Sequence, residues 1–516
     1  MDVLLLHPPA VKPGEPPLGL AVLLGYLRSR GLRAQAVDAN LDAYLYLLDA
    51  ERLRQAAGSQ PSTALYRAIR HAPQALDWLR SPAAARDFSR YQTAVQHLNR
   101  ALKVYAGERG EERLTLGDYS HGGVSEFMPD DLERVARGET ATLFNDYFQQ
   151  RLLPQILHWA PKLVAVSVNY RHQLLPAFAL AGLLKRHCPD LTMVAGGGML
   201  SSWRSVLQQL KLRFSVFSHL VFGPGEASLA ALAEGTDGVD YFLEDASRVC
   251  FEPDFSFCSP AAYLSPQPIL PVSASRGCYW RRCLFCPEAA SPTHPYIAGG
   301  SASFVHMLRT LAERFRVRHF HLTDNAVPYE TLRELASRRQ DMAGLGWHGF
   351  VRFERDLLDP AFVRALSASG CRMLQLGLES GSQRVLDRLQ KGTRLQEVAT
   401  MLDNLRGAGI ATYVYIMLGT PGESRDDAEL TRQFLERYAD RISFLNLAIM
   451  NLPRESRLLA DPSAAGIDVS APLNEEAHPA LLHLKPCLSV FPLRAFVLWS
   501  RGVRKKPLSP RDRAPG

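Results

Sequence analysis

The chain has 516 residues, 47% hydrophobic and 22% charged, with a formal net charge of +7. This composition excludes disordered, collagen-like and coiled-coil chains and suggests about three domains. No apolar run reaches the roughly 18 residues of a spanning helix, and Asp2 stands where a secretory leader needs a base, so a cytoplasmic protein with no membrane span is expected.

The first third alternates strands and helices. Val3–His7 is a short apolar run ending in Pro8 and Pro9. Leu20, Leu23, Leu24 and Leu27 share one face of a helix over 18–30, which Gly31 ends. A second strand covers 33–38. The pattern resumes with a strand at 162–168, a helix at 173–187, a strand at 191–195 before Gly196-Gly197-Gly198, and a strand at 219–222. The turn Gly223-Pro224-Gly225-Glu226 and a helix at 227–233 follow. Such alternation predicts a doubly wound parallel sheet with its ligand site at the carboxyl ends of the strands. Residues 41–158 interrupt it. They read as four helices without strand signals, a helical insertion placed over the ligand site. Residues 246–268, with Pro253, Pro260, Pro266 and Pro268, read as a linker.

A second series follows, with strands at about 269–274, 317–323, 346–353, 372–378, 410–418 and 442–449, each followed by a helix except the last. Eight units make a closed barrel, so this series predicts a partial (β/α)6 barrel over 269–455. Residues 456–516 form a C-terminal extension with an apolar stretch at 488–499. Its tail holds Arg501, Arg504, Lys505, Lys506, Arg511 and Arg513 against Asp512 alone. The positive charge therefore sits on a Pro-rich tail, and no basic face for nucleic acid is expected.

Of eight cysteines, Cys278, Cys283 and Cys286 fall within nine residues, just after the first barrel strand. Three close thiolates can wrap one inorganic centre. An iron–sulfur cluster held by three leaves one iron open. Zinc needs a fourth ligand, and His294 and Cys258 lack finger or ribbon spacing. A purely structural trio is the third reading.

With this motif the chain resembles the radical SAM superfamily, whose signature is Cys-x3-Cys-x2-Cys. Here the spacing is Cys-x4-Cys-x2-Cys. The segments His321–Asn325, Gln375–Thr393 and Gly419-Thr420-Pro421-Gly422-Glu423 look like the second-, fourth- and fifth-strand segments of that family. The resemblance implies a 4Fe–4S cluster on Cys278, Cys283 and Cys286, with its open iron chelating S-adenosylmethionine (SAM). It implies SAM contacts from Asp324, Arg352, Glu379, Ser380 and Gly419, and adenine packing near Leu447–Ile449. The N-terminal half resembles the cobalamin-binding domain that precedes many radical SAM barrels. That resemblance rests on His7-Pro8-Pro9, Pro16-Pro17-Leu18-Gly19-Leu20, Asp38-Ala39-Asn40, Val166-Ser167-Val168, Gly196-Gly197-Gly198 and Gly223-Pro224-Gly225-Glu226, and it implies cobalamin contacts from Pro8, Pro9, Asp38, Ser167, Gly196, Gly197, Gly198, Gly223 and Glu226. The Asp-x-His-x-x-Gly motif that supplies an axial histidine elsewhere is absent.

The implied fold is an N-terminal Rossmann-like cobalamin domain (1–245) followed by the partial radical SAM barrel. The implied activity is C-methylation of an unactivated carbon of a small molecule or peptide. A reductant such as flavodoxin or ferredoxin would supply the electron. The alternatives are a cobalamin-dependent cyclase or rearrangement enzyme, and a non-catalytic cobalamin or metal sensor. The residues name neither a substrate, a catalytic side chain nor an oligomeric state.

Overall fold

The computed structural model describes residues 1–58, 61–106, 111–236, 241–243, 252–287, 296–299, 301–450, 452, 456–459, 461 and 462. His294, the stretch 488–499 and the basic tail lie outside these. Contacts divide the described chain into two units. One takes in 1–279 and 296–349; the other takes in 280–287 and the residues from Phe350 onward. Strands of the two six-stranded sheets are numbered here in chain order.

The first sheet comprises β1 (Val3–His7), β2 (Ala34–Asp38), β3 (Leu163–Ser167), β4 (Thr192–Gly196), β5 (His219–Phe222) and β6 (Tyr241–Leu243), in the order β2-β1-β3-β4-β5-β6. All its pairs are parallel. β1 is buried throughout because helices cover both faces, which is why it reads as an unbroken apolar run. Successive side chains leave a strand on opposite faces. Leu4 and Leu6 therefore join one core with the insertion, whereas Val3 and Leu5 join another with helix α1 (Leu18–Ser29) and helix Glu226–Ala233. Sequence reading did not anticipate β6.

The insertion departs from expectation in two ways. Tyr44, Leu98, Phe144 and Phe148 share a core with Leu4, Leu6, Val164 and Val166, so it is fused to one face of the sheet. It also contains a hairpin, Glu112–Thr115 paired antiparallel with Asp118–His121 across Leu116-Gly117. Its strands have four residues each and bury little beyond Leu114 and Tyr119, too weak a pattern to read as β from sequence.

Where a linker was expected, the described residues from 252 onward form a packed strap. Phe255 and Tyr263 are buried. The Asp254 carboxylate pairs with Arg28 of α1 at 2.8 Å and with Arg314 of helix Ser301–Phe315 at 3.1 Å. The Tyr263 hydroxyl donates to Asp38 at 2.7 Å.

The second sheet runs β12-β11-β10-β9-β8-β7, comprising β7 (Ile269–Val272), β8 (His319–Leu322), β9 (Gly346–Val351), β10 (Cys371–Glu379), β11 (Ala411–Leu418) and β12 (Phe444–Ile449). β7, β8 and β9 pair in parallel, as do β10, β11 and β12. β9 carries the boundary between Gly349 and Phe350, so both units own part of it. Each strand is followed by a helix, apart from β12, which agrees with the expected six-unit partial barrel.

The turn after β11 is closed by helix Arg425–Arg437, whose Ser424 and Asp427 form a capping box. Burial raises the Asp427 carboxyl, but donors from Arg384, Ser382 and Ser424 outweigh it and hold the group below its usual range. Asp427→Ala strands those donors, so a loss of about 3 kcal/mol is expected. The carboxylate's contribution is present above its unfolded value near 4 and fades as pH falls below it. Thermal melts of both proteins from pH 7 to pH 3 check this. A gap in melting temperature that does not narrow toward pH 3 would contradict it.

Candidate active site

The carboxyl edge of the first sheet holds a cavity of about 200 Å3. It is lined by Ser167 and Asn169 after β3, Gly196–Gly198 after β4, Gly223–Glu226 after β5, and Gly19 to Leu23 of α1. Backbone forms much of this wall. At Gly197, φ is +102° and a Cβ would lie 2.5 Å from the Val168 carbonyl oxygen, so only glycine fits. Six expected corrin contacts, Ser167, Gly196, Gly197, Gly198, Gly223 and Glu226, line the cavity; Pro8, Pro9 and Asp38 do not. Asp38 is instead structural. Its Oδ1 accepts from the Asn40 and Leu41 amides at the start of helix Ala39–Leu47, and its Oδ2 accepts from Tyr263. Burial raises its carboxyl.

The cysteine motif contributes to the same wall. Arg276 and Gly277, immediately before Cys278, line the cavity. Arg276 Nη2 donates to Glu226 Oε1 at 2.7 Å, and the Glu226 side chain is only 1% exposed. A carboxylate that deep requires a cationic partner. This pairing across 50 residues had no sequence signal. Asp324 holds the same segment: it accepts from the Ala274 amide at 3.1 Å and from Ser275 Oγ at 2.6 Å, while burial raises its carboxyl. Asp324 therefore shapes the start of the cysteine loop from a buried position.

In the second unit, Cys283 sits beside a compact charged group. Arg352 is buried and its guanidinium is fully engaged. Nε donates to Glu354 at 2.9 Å, Nη1 lies 3.8 Å from Cys283 Sγ, Nη2 donates to the Lys391 carbonyl, and the plane stacks on Trp280 at 4.1 Å. Lys391 Nζ pairs with Glu379 Oε1 at 2.7 Å. Gly377 makes room for that pair, since a Cβ there would lie 2.6 Å from the carboxylate and 2.8 Å from the ammonium. Glu379 takes φ +69° after an irregularity in β10, a strained conformation that aims its side chain at Lys391. The Arg352–Glu354 pair is the barrel-interior ion pair that the sequence offered as the alternative role of Arg352, whereas Trp280 and Lys391 were not singled out from sequence, although both lie in the motifs.

Two expected SAM contacts also make hydrogen bonds within the chain. Ser380 is 1% exposed, and its hydroxyl meets Thr431 Oγ1 at 3.1 Å and accepts from the Ser382 amide, so it ties β10 to helix Arg425–Arg437. Gly419 is in a left-handed turn, with φ +75°, and its amide donates to Glu423 at 2.6 Å. Leu447 and Ile449 are partly exposed on β12.

None of the three motif cysteines is in a disulfide. Among the described residues no three His, Cys, Asp or Glu side chains are gathered as metal ligands. The donor set still fits an iron–sulfur cluster: three thiols in nine residues, one beside a guanidinium, on a loop that turns at Gly277 (φ +69°) and Arg281 (φ +48°).

Residues 272–435 match the family described as the radical SAM superfamily. The chain carries a radical SAM domain. That domain includes the cysteine motif and β8 to β11. The chain is 28% identical over 204 residues to a bacteriochlorophyllide d C-12(1)-methyltransferase of Chlorobaculum tepidum, covering 37% of this chain and 42% of that protein. It is 21% identical over 169 residues to an uncharacterised methyltransferase of Pyrococcus horikoshii, covering 32% and 36%. The matched region thus spans less than half the length of either relative. The fold is similar to that of TsrM, a radical SAM methyltransferase from Kitasatospora setae solved with cobalamin and a [4Fe-4S] cluster. The TM-score is 0.53 at 17% identity, over 93% of this chain and 84% of that one. It is also similar to the cobalamin-dependent radical enzyme OxsB, with TM-score 0.50 at 13% identity, over 99% and 63%. These likenesses establish a Rossmann-like sheet preceding a radical SAM barrel. No helix among the described residues is long and apolar enough to cross a membrane.

Proposed function

We propose that the protein is a cobalamin-dependent radical SAM enzyme that methylates an unactivated carbon. One observation carries this reading: Arg276 and Gly277, which lead directly into Cys278, form part of the wall of the glycine-lined cavity. The residues leading into the cysteine motif thus share one surface of the first unit with the glycine-rich turns.

In this reading Cys278, Cys283 and Cys286 hold a 4Fe–4S cluster, and the cavity takes the edge of a corrin. Bound there, the cluster would supply the electron that cleaves SAM to a carbon-centred oxidant, and the corrinoid would carry the methyl group. The protein's own work is positioning. Glycines at 196, 197, 198 and 223 let a flat macrocycle approach the backbone. Among the described residues, no His, Cys or Met lines the cavity. Arg276 and Glu226 orient the segment before Cys278. Arg352, at 3.8 Å from Cys283 Sγ, stabilises negative charge on that sulfur. Lys391 and Glu379 offer an ammonium and a carboxylate, suited to the amino and carboxylate groups of SAM.

We place the cobalamin domain at 1–245 and the radical SAM barrel at 269–455. The reading carries with it a reducing cytoplasm, a flavodoxin or ferredoxin as reductant, and a small-molecule or peptide substrate. Chlorin-type tetrapyrroles belong in the first assays because one curated relative methylates a bacteriochlorophyllide. The test is anaerobic reconstitution followed by turnover with SAM deuterated in its methyl group. About four irons per chain, bound corrinoid, 5′-deoxyadenosine and deuterium in the product are expected. Deoxyadenosine with an unlabelled product would replace methyl transfer by cyclisation or rearrangement. Corrinoid binding without SAM cleavage would leave only a sensor.

A further inference from the structure

Two helices of the insertion, Thr63–Leu79 and Phe88–Ala101, form a hairpin that neither the cavity wall nor the cysteine loop uses. His71 faces His97 with ring centroids 5.3 Å apart, and the Arg90 guanidinium lies 3.7 Å from the centre of the Trp78 ring, so the helices run antiparallel. Ala68, Ile69, Ala72, Ala94 and Leu98 turn inward to the core shared with the first sheet. The outward faces carry charge of one sign. Residues 62–106 hold six arginines and Lys103 against Asp77 and Asp87, with no glutamate.

Arg67, Arg70, Arg86, Arg90, Arg100 and Lys103 are all exposed, and among the described residues none of them is paired with a carboxylate. Arg52, Arg134 and Arg151, elsewhere in the insertion, do pair, with Asp146, Asp131 and Asp42. The antiparallel register places Arg67 and Arg70 at the end of the hairpin that carries Arg100 and Lys103. The excess of charge is felt locally. Burial first, then repulsion from His71 and Arg100, holds the His97 imidazole below its usual range. Like charges gathered without counter-charge oppose the compact fold, and an anionic partner relieves that cost. Between them stand exposed rings, Tyr66 at 57% and Phe88 at 62%. Arginine and aromatic rings with a single lysine, two aspartates and no glutamate match the composition of protein-binding surfaces. The apolar faces of both helices are spent on the core, which leaves no apolar stripe to enter a lipid surface.

We propose that the outward face of this hairpin docks an acidic polypeptide, with Arg67, Arg70, Arg100 and Lys103 meeting its carboxylates and Tyr66 meeting an apolar side chain. The proposal is independent of the cofactor reading above.

The probes are poly-L-glutamate and a random glutamate–tyrosine copolymer, labelled with fluorescein, titrated with the full chain and followed by anisotropy. Both are expected to bind, the copolymer more tightly. Binding should weaken at least about tenfold as salt rises from about 0.1 to about 1 M and the screening length shrinks from about 10 to about 3 Å. Arg67→Glu, Arg70→Glu and Arg100→Glu combined should weaken both probes at least about tenfold. Arg339→Glu, Arg364→Glu and Arg425→Glu combined change the net charge equally from exposed sites elsewhere and should not. Tyr66→Ser should remove the advantage of the copolymer. Absence of binding, binding indifferent to salt, equal losses in the two triple variants, or an unchanged copolymer preference in Tyr66→Ser would overturn the proposal. So would tighter binding of poly-uridylate or of phosphatidylglycerol vesicles in the same assay. The salt series is read on the parent chain, so it decides without any variant.

Discussion

Replacing Cys278, Cys283 and Cys286 together by Ala is expected to reduce reconstituted iron from about four per chain to near zero and to eliminate SAM cleavage. The physical reason is that only thiolates bind this cluster, and thiols buried without a metal or a cation are poor ligands. Two other described cysteines show what burial does to a thiol. Burial pushes the half-buried Cys258 thiol up to about 12 and the buried Cys371 thiol higher still, so neither is a ready thiolate. Cys258→Ala and Cys371→Ala should therefore retain their iron. The motif variant should still bind hydroxocobalamin, because the glycines of the cavity are untouched. Iron analysis and absorption spectra on anaerobically reconstituted samples decide the matter. Four irons in the triple variant, or loss of iron in Cys371→Ala, would remove the ligand assignment.

The second large effect concerns the cavity. Gly19 lines it from α1, its φ is not left-handed, and nothing lies within 4 Å of where a Cβ would stand. Gly19→Ala should accordingly fold well and bind hydroxocobalamin as the parent does. Gly19→Phe places a ring where the macrocycle is expected. Overfilling of this kind costs about 1–3 kcal/mol, so affinity should fall roughly 10- to 100-fold. Spectroscopic titration with hydroxocobalamin measures it, and circular dichroism confirms that helix and sheet content are unchanged. Parent-like affinity in Gly19→Phe would mean that the corrin, if bound, lies elsewhere. Gly197 would be a poorer choice for this test, since any side chain there collides with the Val168 carbonyl and damages the turn itself.

These two experiments address features with different legibility. The cysteine spacing and the glycine clusters are local patterns, as are the apolar periods that placed the strands of both sheets to within a few residues. Local geometry reads them directly, because a strand repeats every two residues and a helix every 3.6. The hairpin of the insertion escaped because its four-residue strands carry little of that period. β6 escaped for the same reason, with three residues.

Side-chain roles were less legible. Ser380 and Asp38 stand at strand ends where a ligand contact is a reasonable expectation. Both have partners, Thr431 and Tyr263, that lie 51 and 225 residues away. Asp324 is likewise spent on the strand end beside it, and Arg352 on Glu354, Cys283 and Lys391.

What the amino-acid order determined unaided was most of the succession of elements, the parallel architecture and the close spacing of three cysteines after the first barrel strand. Each depends on neighbours within a few positions along the chain. What only the tertiary structure decided was which polar groups already have partners within the chain. It alone showed that Arg276 of the cysteine motif pairs with Glu226 of the cavity wall. A charged or polar side chain out of water must find a partner, and that partner can come from any element folding brings near.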